Sequence, residues 1–236
     1  MKIIDGSITN PLGFSATGCF AGIKKAKKDL ALIKTDKPAI TSVVFTRNLV
    51  KAPPLLWCES IVKSGTLING IVINSGNANA CTGQTGYEHA EMTAKTFAEC
   101  LNVDKNTILV TSTGVIGQLL PIDKIINGIR ENCDNLSSSR ASSNAAAEAI
   151  MTTDTFEKEI SVELELSGKI VKIGAMAKGS GMIHPNMATM LAFITTDINI
   201  SQELLNKAFK ESVNDTYNMI SVDGDTSTND MVVILA

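Results

Sequence analysis

The stretch Ile71-Val72-Ile73-Asn74-Ser75-Gly76-Asn77-Ala78-Asn79-Ala80 carries the clearest structural signal in this sequence of 236 residues. Three consecutive apolar residues run directly into a polar, glycine-containing loop. The same pattern returns where Ile108-Leu109-Val110 meets Thr111-Ser112-Thr113-Gly114. Apolar runs that are continuous rather than alternating are typical of strands buried on both faces. The two stretches therefore predict buried strands that helices cover.

Helical spacing follows both of these strands. Residues after Gly86 form one apolar stripe, and residues after Pro121, a residue suited to the first turn of a helix, form another. The two stripes consist of Ala90, Ala94, Phe97 and Leu101, and of Ile122, Ile125, Ile126 and Ile129. The Ser- and Asn-rich residues 134–144 predict a mobile surface loop, and residues 145–150 predict a helix. These helices separate the strands along the chain.

The second half of the chain adds strands of a different kind. Residues 160–166 alternate with period two, Ser167-Gly168 forms a turn, and residues 170–173 return, which predicts a hairpin with one solvated face. Leu191–Thr196 predicts a further strand, and Ser201 caps a helix after it. Interleaved strands and helices favour an α/β layered fold.

Composition excludes several classes of function. The formal net charge is -3 and aromatic residues make up 4%, which gives neither the positive charge nor the stacking surface of a nucleic-acid-binding protein. No apolar run approaches the ~18 residues of a membrane span, and the N-terminus does not resemble a secretory signal. The five cysteines form no C-x-x-C pair, which is typical of the cytoplasm. The final apolar strand, 231–236, has no polar tail, which suggests that a continuation is missing.

The segment Lys178–Leu191 predicts the chemistry. Its glycines, proline and asparagine indicate an irregular loop that feeds into an apolar strand, with Thr189 at the junction after the small Ala188. A hydroxyl held there can attack the carbonyl of its own preceding peptide bond. Hydrolysis of the resulting ester frees a chain that begins with threonine, whose α-amine (ordinary pKa about 7.7–8.0) can take the hydroxyl proton. Threonines at such junctions are common, so the pattern by itself leaves this role open.

Several motifs together resemble the ornithine acetyltransferase (glutamate N-acetyltransferase) family. The similarity runs over essentially the whole chain, in the order that is typical of the family. The motifs that carry it are Gly13-Phe14-Ser15-Ala16, Gly22-Ile23-Lys24, residues 29–33, Val44-Phe45-Thr46-Arg47-Asn48, Asn74–Gly83, residues 112–117, Thr152-Thr153-Asp154-Thr155, Lys178–Leu191 and residues 221–230.

The resemblance implies a precursor that cleaves itself between Ala188 and Thr189. Residues 1–188 would form the α chain and residues 189–236 the start of a β chain whose remainder is missing, in an αββα sandwich. Thr189 would take the acetyl group from N-acetylornithine and pass it to glutamate in a ping-pong reaction of arginine biosynthesis. Some members also use acetyl-CoA as the donor. The expected assembly is a heterotetramer of two α and two β chains in the cytoplasm, without a metal or a bound cofactor.

The resemblance also assigns roles to individual residues. The Thr113 hydroxyl and the Gly114 backbone N–H match the oxyanion hole, and Lys178 matches a substrate-binding lysine. Either Thr152 or Thr153 contacts the substrate, and their adjacency leaves both open. In the family, a substrate-binding glutamate and a C-terminal asparagine lie beyond the position of Ala236.

Other interpretations remain beside this one. The chain could be an autoproteolytic aminopeptidase or amidase with the same nucleophile and water as the acceptor, or an inactive fragment that assembles with a partner. We interpret His184 as shaping its loop rather than as a general base, and residues 223–226 as a turn rather than a cation site. The basic run 24–28 predicts a solvated face, with contact to an acidic ligand such as CoA left open.

Overall fold

A computed structural model of the chain describes residues 1–182 and 190–236. Within these ranges the strands form two sheets. The larger sheet has, in spatial order, β1 (Lys2–Ile4), β7 (Lys158–Leu166), β8 (Lys169–Lys178), β9 (Leu191–Thr196), β10 (Met231–Leu235) and β4 (Thr41–Phe45). The smaller sheet has β2 (Phe14–Cys19), β3 (Leu30–Ala39), β5 (Ile68–Asn77) and β6 (Ile108–Val115). The helices are α1 (Pro53–Lys63), α2 (Gly83–Leu101), α3 (Ile122–Asn132), α4 (Arg140–Ile150) and α5 (Gln202–Asn214).

The two strands with continuous apolar runs pair as expected for buried strands. β5 and β6 are parallel neighbours, with Ile71 opposite Leu109, and the apolar residues of both are buried. Because parallel strands end at the same edge of a sheet, the polar residues that follow each run meet there. Helix α2 packs against both α1 and α3, and α1 and α2 pack on β6, which supplies the cover that the sequence predicts.

The larger sheet has two apolar faces. On β9, Leu191 and Phe193 join the core that contains the smaller sheet, whereas Ala192 and the preceding Met190 pack with Phe209 of α5. The same alternation continues along β10. One face of the larger sheet therefore meets the shared core and the other is covered by α5. This arrangement confirms the α/β layered fold predicted from the sequence.

One segment differs from its prediction. Residues 134–144 were expected to form a loop as far as residue 144, but α4 begins at Arg140, where the Ser139 hydroxyl accepts a hydrogen bond of 3.2 Å from the Ser142 N–H. The alanine face of α4 packs closely on β2, and a Cβ on Gly18 would lie only 1.9 Å from the Ala145 carbonyl oxygen. The helix thus includes residues whose local preference is for turns, with the Ser139 cap at its start and close packing on β2 further along.

The predicted division between residues 188 and 189 lies outside the described residues, since the description stops at Met182 and resumes at Met190. The strands on either side, β8 and β9, pair antiparallel with Lys178 opposite Leu191. Among the described residues, no helix combines the length and the apolar character needed to span a bilayer.

Candidate active site

An open cavity of about 610 Å³ lies where β5, β6 and β8 end. It gathers every predicted site residue within the described ranges: Thr113, Gly114, Thr152, Thr153 and Lys178. The rest of its lining is Lys24, Gly76, Val115, Gly181, Met182, Asp223 and Asp225. Residues far apart in the sequence are thus brought together in one cavity. Ala188, Thr189 and His184 lie outside the described residues, and the described chain resumes directly after Thr189.

Two glycines in close contact form part of the cavity wall. Gly114 has φ +134°, a conformation that L side chains rarely adopt. A Cβ on Gly114 would lie 2.3 Å from the carbonyl carbon of Gly76 and 2.6 Å from the nitrogen of Asn77. Glycine is therefore required at position 114 by both conformation and space, and its backbone is exposed to the cavity without a side chain in front of it.

Lys178 and Thr113 connect the two sheets inside this cavity. Lys178 is 3% exposed, and its Nζ donates a hydrogen bond of 3.3 Å to the Oγ1 of Thr113. Burial lowers the pKa of the Lys178 ammonium, against the opposing effect of the carboxylates of Asp154 and Asp230. Because a lysine ammonium has donors only, the Thr113 hydroxyl must accept this bond, and its own proton is available to a different acceptor.

Asp154 organises the segment that follows α4. Its side chain accepts hydrogen bonds from the N–H of Thr152 at 3.1 Å, from the N–H of Gly179 at 2.8 Å and from the Nζ of Lys158 at 2.6 Å. Burial by itself would raise the pKa of this carboxyl. The three hydrogen bonds and the charge of Lys178 outweigh burial and hold the pKa below its ordinary value. Asp154 therefore stays ionised and joins the Thr152 loop to the end of β8.

The two adjacent threonines have different surroundings. The hydroxyl of Thr153 is hydrogen-bonded to the hydroxyl of Ser180 at 2.5 Å. The hydroxyl of Thr152 has no hydrogen bond to any residue in the described ranges, although the backbone of Thr152 is held by Asp154. Both threonines line the cavity, and they differ in that the Thr153 hydroxyl is already paired with another side chain.

Asp230 is a buried carboxyl that contacts Met190, the residue that follows the predicted nucleophile in the sequence. It is 1% exposed, and its Oδ1 accepts a hydrogen bond of 3.0 Å from the N–H of Met190. Its Oδ2 is buried without a hydrogen-bond partner among the described residues. Burial raises the pKa of this carboxyl to about 8, against the opposing effects of hydrogen bonds from Met190 and Ser227 and of the charge of Lys178. The sequence had indicated no role for this residue.

Lys24 is a second residue that the sequence pattern did not predict in the site. Its Nζ donates to the carbonyl of Met151 at 2.6 Å and to the carbonyl of Lys28 at 2.9 Å, so it ties the basic run to the end of α4. Burial lowers the pKa of its ammonium to about 8, although Asp29 opposes the shift. The prediction of a solvated face is therefore wrong for Lys24. In the sequence, the motif Gly22-Ile23-Lys24 separates it from its exposed neighbours, Lys25 and Lys27, but gives it no role.

A different cavity of about 690 Å³ runs along the edge strand β4. Its charged lining includes Lys51 and Glu59, which form an ion pair with each other, and it contains none of the predicted site residues. Among the described residues, no cluster of three His, Cys, Asp or Glu side chains has the spacing of a metal site. Among the described residues, those to which the sequence assigns a role therefore line the cavity around Thr113 and Lys178.

Comparison with known proteins adds a family and a fold. The ArgJ family model matches residues 15–236. A curated relative, the arginine biosynthesis bifunctional protein ArgJ of Caldanaerobacter subterraneus subsp. tengcongensis, is 53% identical over 236 residues. The match covers 100% of this chain and 58% of that relative, so the chain spans little more than half of the relative's length.

Two solved structures are informative. The ornithine acetyltransferase of Mycobacterium tuberculosis, solved in complex with ornithine, superimposes with a TM-score of 0.72 at 36% identity, over 78% of this chain and 97% of that one. The L-aminopeptidase D-Ala-esterase/amidase of Ochrobactrum anthropi, described as a variant of the Ntn hydrolase fold, has a TM-score of 0.63 at 14% identity, over 100% of this chain and 75% of its own. At that identity the second likeness concerns the fold alone.

Proposed function

The chain belongs to the ArgJ family, and from that premise we propose that it supplies the nucleophile and the oxyanion hole of an enzyme that transfers acetyl groups between amino acids. In this proposal, Thr189 is freed as an N-terminal residue by cleavage after Ala188. The acetyl donor is N-acetylornithine, the acceptor is glutamate, and the pathway is arginine biosynthesis.

The hydrogen bond from Lys178 to Thr113 is the observation that carries the proposal. A tetrahedral intermediate formed by attack on the acetyl carbonyl carries an oxyanion, which needs donors aimed at it. With Lys178 occupying an acceptor site on the Thr113 hydroxyl, the proton of that hydroxyl is free to bind the oxyanion. The backbone of Gly114, unshielded by a side chain, supplies the second donor, and the Lys178 charge stabilises the negative charge at short range.

The proposed reaction has two balanced halves. The Thr189 hydroxyl attacks the acetyl carbon while its proton passes to its own α-amine. The intermediate collapses, the bond from the acetyl carbon to the ornithine nitrogen breaks, and that nitrogen leaves with the proton. The neutral α-amine of glutamate then attacks the acetyl-threonine ester. As the ester bond breaks, the proton lost by the glutamate nitrogen passes through the Thr189 α-amine to the threonine oxygen, which restores the hydroxyl. Neither half requires a metal or a bound cofactor.

The contacts of the cavity also suggest which side chains bind the substrates. Amino-acid substrates bring a carboxylate, and the Lys178 ammonium is a suitable partner at the cavity wall. We assign the substrate contact to Thr152 rather than Thr153, because the Thr153 hydroxyl is already paired with Ser180. Acetyl-CoA is a possible alternative donor.

The share of the chain matched by the M. tuberculosis protein supports cleavage near residue 188. That solved chain is matched over 97% of its length by 78% of this sequence. Residues 1–188 are about four-fifths of the 236 residues, so the solved chain has the length expected of an α chain. The curated ArgJ relative, by contrast, is covered over only 58% of its length. We propose that α and β chains produced in this way assemble as a heterotetramer in the cytoplasm.

The test combines intact mass with acetyl transfer, using the protein expressed at its full natural length. We expect two fragments with a new N-terminus at Thr189, and acetyl-glutamate formed from N-[¹³C]acetylornithine and glutamate. The Thr189→Ala variant should remain one chain and transfer nothing, whereas Thr66→Ala, at a half-buried position that does not line the cavity, should behave as the parent.

Other outcomes would contradict the proposal in distinct ways. Labelled free acetate in place of acetyl-glutamate would indicate an amidase with the same nucleophile. An uncut chain without transfer activity would exclude the self-cleavage mechanism.

A further inference from the structure

Four polar residues, Ser227-Thr228-Asn229-Asp230, precede β10, and three of them are almost completely buried. Ser227 is 4%, Asn229 4% and Asp230 1% exposed. Burying polar groups at a strand entrance is unfavourable unless hydrogen bonds replace the lost water contacts. The hydrogen-bond partners of Asn229 and Asp230 therefore show which parts of the protein this buried segment connects.

Asn229 reaches from the larger sheet to the smaller one. Its Nδ2 donates to the carbonyl of Ser112 at 2.9 Å and to the carbonyl of Ala78 at 2.6 Å. Both amide protons are therefore used, and both acceptors belong to segments at the polar ends of β6 and β5. The Ser112 carbonyl and the Thr113 N–H share one planar peptide unit. Asn229 therefore fixes the orientation of the backbone that carries Thr113.

Asp230 holds the start of β9. Its Oδ1 accepts from the N–H of Met190 at 3.0 Å, and the next residue, Met231, donates its N–H to the Met190 carbonyl at 3.2 Å. Met190 is thus held at both its backbone N–H and its carbonyl. The segment is itself anchored, because the N–H of Thr46 donates to the Asp230 carbonyl at 3.0 Å.

We propose that Asn229 and Asp230 act as a clamp that sets the distance between the oxyanion-hole loop of the smaller sheet and the segment of the larger sheet that begins at Met190, directly after the proposed nucleophile in the sequence. Two consecutive side chains bond to the two segments, so a displacement of one segment is transmitted to the other. Both are positioning residues: they act through Thr113 and through the strand that begins at Met190. The inference rests on the proposed acetyl transfer, in which these groups must converge on one carbonyl.

The clamp predicts a loss of turnover rather than of substrate affinity. Misplacing reacting groups by about 1 Å can reduce the rate about 10²-fold, so we expect Asn229→Leu and Asp230→Ala to lower kcat by about that factor while KM stays near the parent value. Asp230→Asn retains an oxygen acceptor for the Met190 N–H and should restore most of kcat. Asn229→Ser, a smaller change, provides a second variant should Asn229→Leu fail to fold.

A matched control separates positioning from general destabilisation. Thr35 is buried, and its hydroxyl donates to the carbonyl of Ile68 at 3.2 Å in a pairing that does not involve the cavity. Thr35→Val removes one buried hydrogen bond and should lower the melting temperature while leaving kcat unchanged. If Thr35→Val and Asn229→Leu lower kcat equally, the clamp is refuted.

Hydrogen–deuterium exchange tests the clamp without any activity measurement. In Asn229→Leu, amide exchange within residues 108–117 should accelerate relative to the parent, while exchange in α5 should not change. Unchanged exchange in residues 108–117 would overturn the inference even if the parent is an active transferase. Accelerated exchange in a protein that transfers no acetyl group would keep the clamp and reject the proposed function.

Discussion

Replacing Asp230 by asparagine should change how the stability of the protein depends on pH. The raised pKa of about 8 means that the folded carboxyl keeps its proton up to that pH, whereas the unfolded chain releases it near the ordinary value of 3.8. Between these values the folded state binds the extra proton, so the free energy of unfolding falls as the pH rises. This contribution changes by about 1.4 kcal/mol per pH unit.

Asparagine has a similar shape, can accept the Met190 N–H and does not titrate. We therefore expect the free energy of unfolding of Asp230→Asn, minus that of the parent, to rise by roughly 3 kcal/mol from pH 5 to pH 7. The difference should level off above about pH 8, where the carboxyl is ionised in both states. Taking the difference cancels the titrations that the two proteins share.

The assay is urea unfolding at pH 5, 6, 7 and 8, followed by the fluorescence of Trp57, the single tryptophan, which is 4% exposed. Both proteins carry Thr189→Ala, so that each is compared as one uncut chain. Asp36→Asn, at an exposed position, should give a profile parallel to that of the parent. Parallel profiles for Asp230→Asn and its parent between pH 5 and pH 7 would refute the reasoning.

Three further substitutions test the cavity itself. Gly114→Ala would place a Cβ 2.3 Å from the backbone of β5. We expect the free energy of unfolding, measured in urea, to fall by about 2–4 kcal/mol and acetyl transfer to be lost. A variant as stable as the parent would contradict the close contact. Lys178→Met removes the donor to Thr113 and should lower kcat by about 10²-fold in the acetyl-transfer assay. An unchanged kcat with a raised KM would show that Lys178 binds substrate without acting on the reaction step. Asp154→Asn should reduce the free energy of unfolding at pH 7 by about 1–3 kcal/mol. Because the pKa of Asp154 is lowered on folding, its stabilising contribution is lost as the pH falls. The difference in free energy of unfolding between the variant and the parent should therefore narrow toward pH 3. A difference that does not change with pH would exclude the ionised carboxyl as its source.

Patterns that depend on near neighbours were sufficient for much of the fold. Continuous apolar runs identified β5 and β6, because a strand buried on both faces is apolar at successive positions. Period-two alternation identified the hairpin of β7 and β8, because a strand with one solvated face alternates apolar and polar residues. The start of α4 was not predictable in this way. Its first turns contain serine and asparagine, which also favour turns, and the residues that pack on Gly18 lie further along the helix, at Ala145 and Ala146.

For the candidate site, too, the sequence predicted one part and the tertiary structure decided the rest. Motif resemblance was enough to nominate Thr113, Gly114 and Lys178, since each lies within a distinctive stretch of sequence. Only the tertiary structure decided that Lys178 donates to Thr113, 65 residues away, and that Asn229 reaches Ser112, 117 residues away. Those hydrogen bonds depend on which strands are neighbours and on the register in which they pair. The order of residues within one segment determines neither.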